Sequence, residues 1–318
     1  MIISAKFGKK IHFSTWFYLN LSYLSEINHN LYHWSMMRTH LVSLVILLAF
    51  IMLSTSCGRN GSKYADDGKP AVTTQKSQQQ SNSSFMMSNG ERCTIVAEAT
   101  IEYPKTIGEN LPADSLQRLF AAYVLESGDT LSLSEAMNQV VVNSMHQYDF
   151  MDGAVSEDDV AEDSDGMTTL KYVTSTRITP IYNKHGVVTF ERVDVVKKND
   201  KVSSVTHRYY SFDVESQTYI DVNRLFRDDA ISDVCQLLKQ QLLAQNNATG
   251  NEQLNDLGYF NVENITVSRN FYFDDNGVTW SFLPNELAVE AVGEPKITIP
   301  YKDLESSLCE NSIIDRLY

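Results

Sequence analysis

The chain has few of the residues from which metal and redox sites are built. Its 318 residues include four cysteines and seven histidines, and none of them falls in a C-x-x-C or H-E-x-x-H arrangement. Metal sites need ligands that converge at such spacings, so the sequence predicts no metal and no other cofactor. The three cysteines that follow Cys57 stand far apart. They permit one disulfide in an oxidising compartment, and buried free thiols fit equally well.

Basic residues are also scarce. The chain carries 26 Lys and Arg against 40 Asp and Glu, a net charge of −14, and the part after Cys57 carries 22 against 39. Proteins that bind nucleic acid neutralise its phosphates with Lys and Arg, and an anionic lipid surface attracts the same residues. We therefore expect neither as a partner, whereas a basic protein or a neutral glycan is compatible with the charge.

Long apolar runs are absent except for one, which is short for a bilayer. Leu41–Leu53 contains 13 residues with a single serine among them, whereas a membrane-spanning helix needs about 20 apolar residues. The length suits the apolar part of an export signal, and small residues lead from it to Cys57. This ending resembles a lipobox, although Ser54 stands where most lipoboxes carry Leu. The sequence predicts a lipoprotein signal peptide over 37–56 and acylation of Cys57. A cleaved soluble export signal is the alternative.

The segments on either side of this signal have different compositions. Residues 1–36 show no sustained period, and we interpret them as a gene-model extension ahead of a start at Met36 or Met37; a short cytoplasmic arm is the alternative. Residues 57–90 are rich in Ser, Gln, Asn, Gly and Lys. Such a composition buries too little apolar surface to offset its ordering entropy, which predicts a disordered tether. We expect the protein in the cell envelope, lipid-anchored on the periplasmic or surface face of the outer membrane.

The remaining sequence predicts an α+β fold with two subdomains, in which mixed or antiparallel sheets pack against helices. Residues 91–167 contain a strand and two helices, the second with a capping box formed by Ser132 and Glu135. Residues 168–318 contain three strands, a helix, an aromatic hairpin and a final strand. These elements are grouped rather than alternating, which favours α+β.

Three local features carry more specific predictions. The helix after residue 228 has an apolar stripe, with Asp228 or Asp229 as its cap. Asn276-Gly277 predicts a tight hairpin turn with positive φ angles. The acidic stretch 149–165 contains eight Asp and Glu residues. It lacks the alternating pattern of a calcium loop, so we interpret it as a solvated loop.

The stretches "YYSFDVESQTYIDVNRLFRDD" and "NFYFDDNGVTWSFLPNELAVEAVGEPKITIPYKDL" resemble the RsiV-like family, the extracellular module of anti-sigma factor V and some peptidoglycan-deacetylase lipoproteins. Residues 94–127 are similar to the N-terminal subdomain of that family. The resemblance implies a non-catalytic module, one branch of which binds lysozyme. Two turns, at "KKNDKVSSV" and at 215–217, depart from the family pattern, which implies a different ligand where those turns shape a binding face. The matching positions are Phe212, Asp213, Leu225, Phe226, Phe271, Gly277, Phe282, Gly293, Ile299, Pro300 and Tyr301.

Candidate ligand-binding residues are the aromatic ones in this half of the chain. They offer a flat platform for sugars, and the alternative is that alternate members pack in the core. Asp213, Asp221 and Glu286 offer paired carboxylates for glycan hydrolysis, but a chain so rich in acids provides such pairs by chance, and we predict no catalytic residues. The platform candidates are Tyr209, Tyr210, Tyr272, Trp280 and Tyr301.

The sequence thus predicts a lipid-anchored envelope protein that is not an enzyme. Its RsiV-like module is expected to bind a lysozyme-like basic protein or peptidoglycan. A cell-wall glycan hydrolase is one alternative. An envelope stress sensor related to anti-sigma factors is another, and it requires a sigma-binding segment inside the cell, which residues 1–36 do not resemble.

Overall fold

The computed structural model has the predicted α+β content. Every described residue belongs to one compact unit, Leu53–Tyr318. The predicted extension, the signal peptide, Cys57 and most of the acidic stretch lie outside the described residues. No helix in the described part of the chain combines the length and the hydropathy that crossing a bilayer requires. The structure describes residues 70–87, 90, 92–108, 110–128, 131–148, 161–162 and 168–317.

The larger of two sheets contains eight strands. Its main path runs β1-β2-β5-β6-β7-β8, with β3 beside β2 and β4 beside β5. Strands β2 and β5 are parallel, and the other neighbours are antiparallel. The strands are β1 (Val72–Met86), β2 (Arg92–Ile107), β3 (Leu111–Pro112), β4 (Ala161–Glu162), β5 (Thr168–Lys184), β6 (Val187–Lys198), β7 (Lys201–Asp213) and β8 (Thr218–Tyr219).

Two helices cover one face of this sheet, α1 (Asp114–Tyr123) and α2 (Leu133–His146). The predicted capping box of α2 is confirmed: Ser132 Oγ accepts from the Glu135 backbone N–H, and the Glu135 carboxylate accepts from the Ser132 N–H at 2.9 Å. Phe120 of α1 packs edge-on against Phe190 of β6, with 4.9 Å between ring centroids. Helices and sheet thereby enclose the first hydrophobic core.

The smaller sheet has three antiparallel strands in the order β11-β10-β9. Together with three helices it encloses the second core, in which Trp280 is fully buried. The predicted apolar stripe of α3 faces this core through Val234, Leu238 and Leu242. The elements are α3 (Ile231–Gln245), α4 (Asn251–Asp256), β9 (Phe271–Phe273), β10 (Gly277–Ser281), β11 (Lys296–Pro300) and α5 (Tyr301–Leu304).

The prediction of a disordered tether over 57–90 is wrong for its second half, because Val72–Met86 forms strand β1. Its register with β2 runs from Val72 opposite Ile107 to Met86 opposite Arg92. Backbone hydrogen bonds alone pair a strand with an existing edge, so β1 needs few buried side chains. The polar composition of 57–90 indicates only how little side-chain area can be buried, so this strand was not predicted from it.

The predicted boundary between two subdomains, at residues 167 and 168, does not separate them in the structure. Strand β2 pairs with β5 in parallel, from Arg92 opposite Thr169 to Ile101 opposite Ile178. One sheet therefore includes strands from both predicted subdomains, and the second core consists mainly of residues after β8, together with Tyr182 of β5 and Val187 of β6. The pairing joins residues 77 positions apart, which local periodicity does not reveal.

Two local predictions are corrected. The N-cap of α3 is Ala230, preceded by a 3₁₀ turn over Asp228–Ala230, and no side chain caps it. Residues 271–281 do form the hairpin, but neither Asn276 nor Gly277 has a positive φ. The glycine is needed for another reason, since a Cβ on Gly277 would lie 2.1 Å from the carbonyl oxygen of Ile299 in β11.

Candidate functional site

The five aromatic candidates do not form one platform. Trp280 is 0% exposed and Tyr301 is 4% exposed, and both belong to the second core. Trp280 pairs with Phe271 across the hairpin, whereas Thr279 pairs with Tyr272, so Trp280 and Tyr272 point to opposite faces of the small sheet. The platform prediction is therefore wrong for Trp280 and Tyr301, which have no surface to offer a sugar.

Tyr209 and Tyr210 are also separated, because neighbours in a strand point to opposite faces. Tyr210 lies on the helix-covered face, where its hydroxyl donates to Glu126 at 3.4 Å. Glu126 also pairs with the largely buried Arg192 at 3.3 Å. Tyr209 lies on the other face, with its ring 4.5 Å from that of Tyr272. Only Tyr209 and Tyr272, of the five candidates, form a direct ring pair.

A lysine completes a cluster around this ring pair. Lys296 Nζ donates to the Tyr209 hydroxyl at 2.8 Å, and that hydroxyl donates to Glu191 at 3.1 Å. The ammonium also lies 5.3 and 5.8 Å from the centroids of the Tyr209 and Tyr272 rings. Burial, and then the charge of Glu191, raise the pKa of Tyr209. The phenol therefore stays protonated, so the cluster is suited to hydrogen bonding and poorly suited to proton abstraction.

Beside this cluster, Asn270 joins the two sheets. Its side-chain oxygen accepts from the Tyr209 backbone N–H at 2.9 Å, and its amide donates to the carbonyls of His207 and Ser281 at 3.1 Å each. Glu294 adds contacts to the His207 backbone N–H and to the His207 ring, at 2.9 and 2.7 Å. This region is a structural connection between β7 and the small sheet.

The three carboxylates considered for hydrolysis each serve the local fold. Asp213 is buried and accepts from Ser216 Oγ at 2.7 Å and from Arg316 at 2.8 Å. Burial alone would raise its pKa, but these hydrogen bonds outweigh burial and lower it. Asp221 accepts from the backbone N–H of residue 223, and Glu286 accepts from that of residue 283. None of the three carboxylates is thereby prepared as a general acid.

A cavity of about 490 Å³ lies next to Asp213. Arg224 and Arg316 line it together with Cys309, whose thiol donates to the Arg224 carbonyl at 3.2 Å. Three carboxylates offset the two guanidinium groups, so the lining selects no single charge. The thiols of Cys93, Cys235 and Cys309 are free. Within the described residues, no group of three or more His, Cys, Asp and Glu side chains could hold a metal ion.

A more distinctive surface is formed by the segments around Tyr259 and Ala288, which are joined by an isolated β-bridge. Four exposed apolar residues, which we call the apolar patch, occur in two segments that pair with each other. Backbone hydrogen bonds join Phe260 N–H to Leu287 O at 3.0 Å and Val289 N–H to Gly258 O at 2.9 Å. The patch consists of Leu257, Phe260, Val289 and Val292, which are 51%, 37%, 44% and 37% exposed.

Carboxylates accompany the apolar patch without any basic residue. Residues 240–268 and 282–295, which contain the patch, hold six acidic residues and no Lys or Arg. Five of the six are exposed, and the sixth, Glu294, pairs with His207. This surface was not predicted from the sequence, because it depends on the pairing of two segments that are distant along the chain. A charge count over these two windows would have been the available signal. The five exposed carboxylates are Glu252, Asp256, Glu263, Glu286 and Glu290.

The part of the chain that carries the patch and the small sheet matches a known family. Residues 223–302 match the family described as "Protein of unknown function (DUF3298)". The chain contains a DUF3298 domain. DUF3298 is related to RsiV-like modules, so the expected resemblance is confirmed at the level of the domain. The DUF3298 domain includes the apolar patch, Asn270, Lys296 and the second core around Trp280.

A solved structure shares the fold over most of the chain. A DUF3298 family member from Bacteroides fragilis superposes with a TM-score of 0.58 at 19% identity, covering 78% of this chain and 99% of its own. A DUF3298 family protein from Pseudomonas aeruginosa gives a TM-score of 0.47 at 11% identity, with 76% and 96% covered. Among curated proteins, none matches the chain.

Proposed function

We propose that the protein is a non-catalytic binding module of the cell envelope, anchored by a lipid on Cys57, and that its DUF3298 domain binds a basic protein. The observation that carries the proposal is the apolar patch with its five exposed carboxylates and no accompanying Lys or Arg. Exposed apolar residues grouped in this way, with polar residues around them, are typical of interaction surfaces.

The two components of the surface have different roles in binding. Removing Phe260 and Val289 from water supplies affinity, at about 25 cal/mol per Å² of apolar area. The carboxylates attract a cationic partner over a distance of about 10 Å at 0.1 M salt and disfavour an acidic one. The absence of Lys and Arg from 240–268 and 282–295 leaves this negative potential unopposed within those segments. A protein with a basic surface and an apolar anchor fits both components.

The absence of catalysis is part of the proposal. Tyr209 has a raised pKa and both its hydrogen-bonding roles are taken by Glu191 and Lys296. Asp213, the buried carboxylate beside the cavity, has a lowered pKa and is paired with Arg316. A glycosidase needs one carboxyl with a raised pKa as its acid, whereas the pKa of Asp213 is lowered.

Binding to a basic probe tests the proposal. Purified full-length protein is immobilised, and the affinities for lysozyme and for an acidic protein of similar size are compared. We expect Phe260→Ser/Val289→Ser to weaken lysozyme binding at least tenfold, and added salt to weaken it further. The matched control is Val202→Ser/Val205→Ser, which removes two apolar residues of β7 that are 59% and 36% exposed. Equal binding by both double variants, or no preference for the basic probe, would contradict the proposal.

Acylation is tested separately, in cells that process the full chain. Metabolic labelling with a palmitate analogue is expected to mark the wild type and Cys93→Ala, and to be lost in Cys57→Ala. The support is the apolar run Leu41–Leu53, which small residues join to Cys57, and the polar segment that follows Cys57. A Cys57→Ala protein that keeps its label would remove the anchor from the proposal and leave the binding surface untouched.

A further inference from the structure

Strand β1 forms an edge of the large sheet. It pairs with β2 along all 15 of its residues, and no other described strand lies beside it. The N–H and C=O of Val72 bond to the side chain of Asn183. Beyond Val72, the backbone N–H and C=O groups on the outer side of β1 have no strand partner within the described part of the chain. Helix α2 packs near β1, but it lies on the helix-covered face of the sheet and leaves the edge in the sheet plane uncovered.

This edge lacks most devices that protect natural edge strands. Such strands are usually short or carry Pro, several charges or a bulge. Val72–Met86 contains no Pro, its single charged residue is Lys76, and its one register shift lies at its start, between Thr73 and Thr74. A long edge without these devices is a template for adding another strand.

The charge and chemistry of β1 favour a second copy of the chain as that strand. The protein as a whole carries a net charge of −14, yet β1 has no acidic residue, so two copies approach here with little repulsion. Nine of the ten residues in Gln75–Ser84 are Gln, Ser or Asn. Amides and hydroxyls both donate and accept hydrogen bonds, so identical side chains satisfy one another.

We propose that two copies associate by pairing β1 with β1 in antiparallel orientation about a two-fold axis at Gln79. A two-fold interface requires that each contact occurs twice. Val72 is buried, and overlap of the remaining residues Thr73–Phe85 places the axis at the central one. Residue 78 then lies opposite 80 of the second copy, and Lys76 lies opposite Asn82 rather than a second lysine. The pairing also places Phe85, which is 36% exposed, beside Thr73 of the second copy.

Single cysteines on β1 test the pairing and its register together. Each of residues 75 to 83 is replaced by Cys in the full chain, and disulfide-linked dimers are measured after mild oxidation. Gln79→Cys places two Cα atoms about 4.5–5.5 Å apart, within disulfide range, whereas Ser77→Cys separates them by roughly 14 Å along the strands. We expect one sharp maximum at position 79. The wild type, with its native free thiols, gives the background, and a flat profile at that background would overturn the proposal.

A charge pair provides the matched equilibrium test. Gln78→Lys/Gln80→Lys puts lysine opposite lysine across the axis, whereas Gln78→Glu/Gln80→Lys puts glutamate opposite lysine. Both share Gln80→Lys, whose neighbour on β2 is Glu98, so they differ only at residue 78. We expect sedimentation of the full chain in detergent to give a dimer dissociation constant at least tenfold larger for Gln78→Lys/Gln80→Lys than for Gln78→Glu/Gln80→Lys. A monomeric wild type, or equal dissociation constants for the two variants, would rule out this dimer.

Discussion

The two sheets of this protein are stabilised in different ways. The five long strands of the large sheet contain 12 to 17 residues. In β1, most residues of the C-terminal half are exposed. The small sheet has strands of three to five residues, and β10 is buried at every position. Backbone pairing holds β1, whereas packing of apolar side chains holds β10. Substitutions should therefore have large effects in the small sheet and small effects on the open face of the large one.

The largest difference is expected between Trp280 and Gln78. Trp280→Ala removes a fully buried indole from the second core, which should lower the free energy of unfolding by about 3–5 kcal/mol. Gln78→Ala changes an exposed residue of β1 and should stay within about 0.5 kcal/mol of wild type. Urea unfolding followed by circular dichroism measures both. Equal losses would show that the two sheets are stabilised alike.

Gly277→Ala tests how tightly the small sheet is packed around its backbone. The added Cβ would lie 2.1 Å from Ile299 O, so β10 and β11 must separate, at an expected cost of about 3 kcal/mol. The matched control is Gly250→Ala, because a Cβ there meets nothing within 4 Å. Thermal unfolding compares the two variants. A control that loses as much stability as Gly277→Ala would refute the steric explanation.

Asn270→Ala tests the connection between the sheets. The substitution leaves the Tyr209 N–H and the His207 carbonyl without their partner, and we expect a loss of about 2 kcal/mol. Because the two cores would then unfold less cooperatively, the dependence of unfolding on urea should also become shallower. Asn264→Ala is a suitable control, since its side chain contacts only the neighbouring Asn261 in the described hydrogen bonds. An unchanged slope would mean that other contacts couple the cores.

The sequence predicts local features of this fold better than distant ones. The capping box at Ser132 and the stripe of α3 depend on residues three or four positions apart, and both are present. The parallel pairing of β2 with β5 joins residues 77 positions apart, and no local pattern encodes it. The aromatic platform fails for a related reason. A shift of one residue in strand register moves every side chain to the other face, and the register between β9 and β10 places Trp280 inside.

The smallest effect is expected at the ion pair between Asp213 and Arg316. A substitution there can distinguish stabilisation by charge from stabilisation by side-chain packing. Burial raises the pKa of Asp213, but hydrogen bonds from Ser216 and then from Arg316, together with the charge of Arg316, hold that pKa below its ordinary value. A carboxyl with a lowered pKa stabilises the fold above its ordinary pKa of about 3.9, and this contribution is lost as the pH falls through the lowered value. Arg316→Gln should therefore lower the free energy of unfolding by about 1 kcal/mol at pH 7. The loss is small because the guanidinium is partly exposed and its charge is screened by solvent.

The difference between wild type and Arg316→Gln should shrink as the pH falls below about 4 and vanish once Asp213 is protonated in both proteins. Unfolding by urea at a series of pH values between 7 and 3 measures it. Arg227→Gln is the matched control, because its partner Asp229 is 80% exposed and that pair should contribute little at any pH. If Arg316→Gln loses the same free energy of unfolding at every pH, Arg316 stabilises the fold by packing of its side chain. The contrast between this charge-stabilised ion pair and the apolar cores would then not hold.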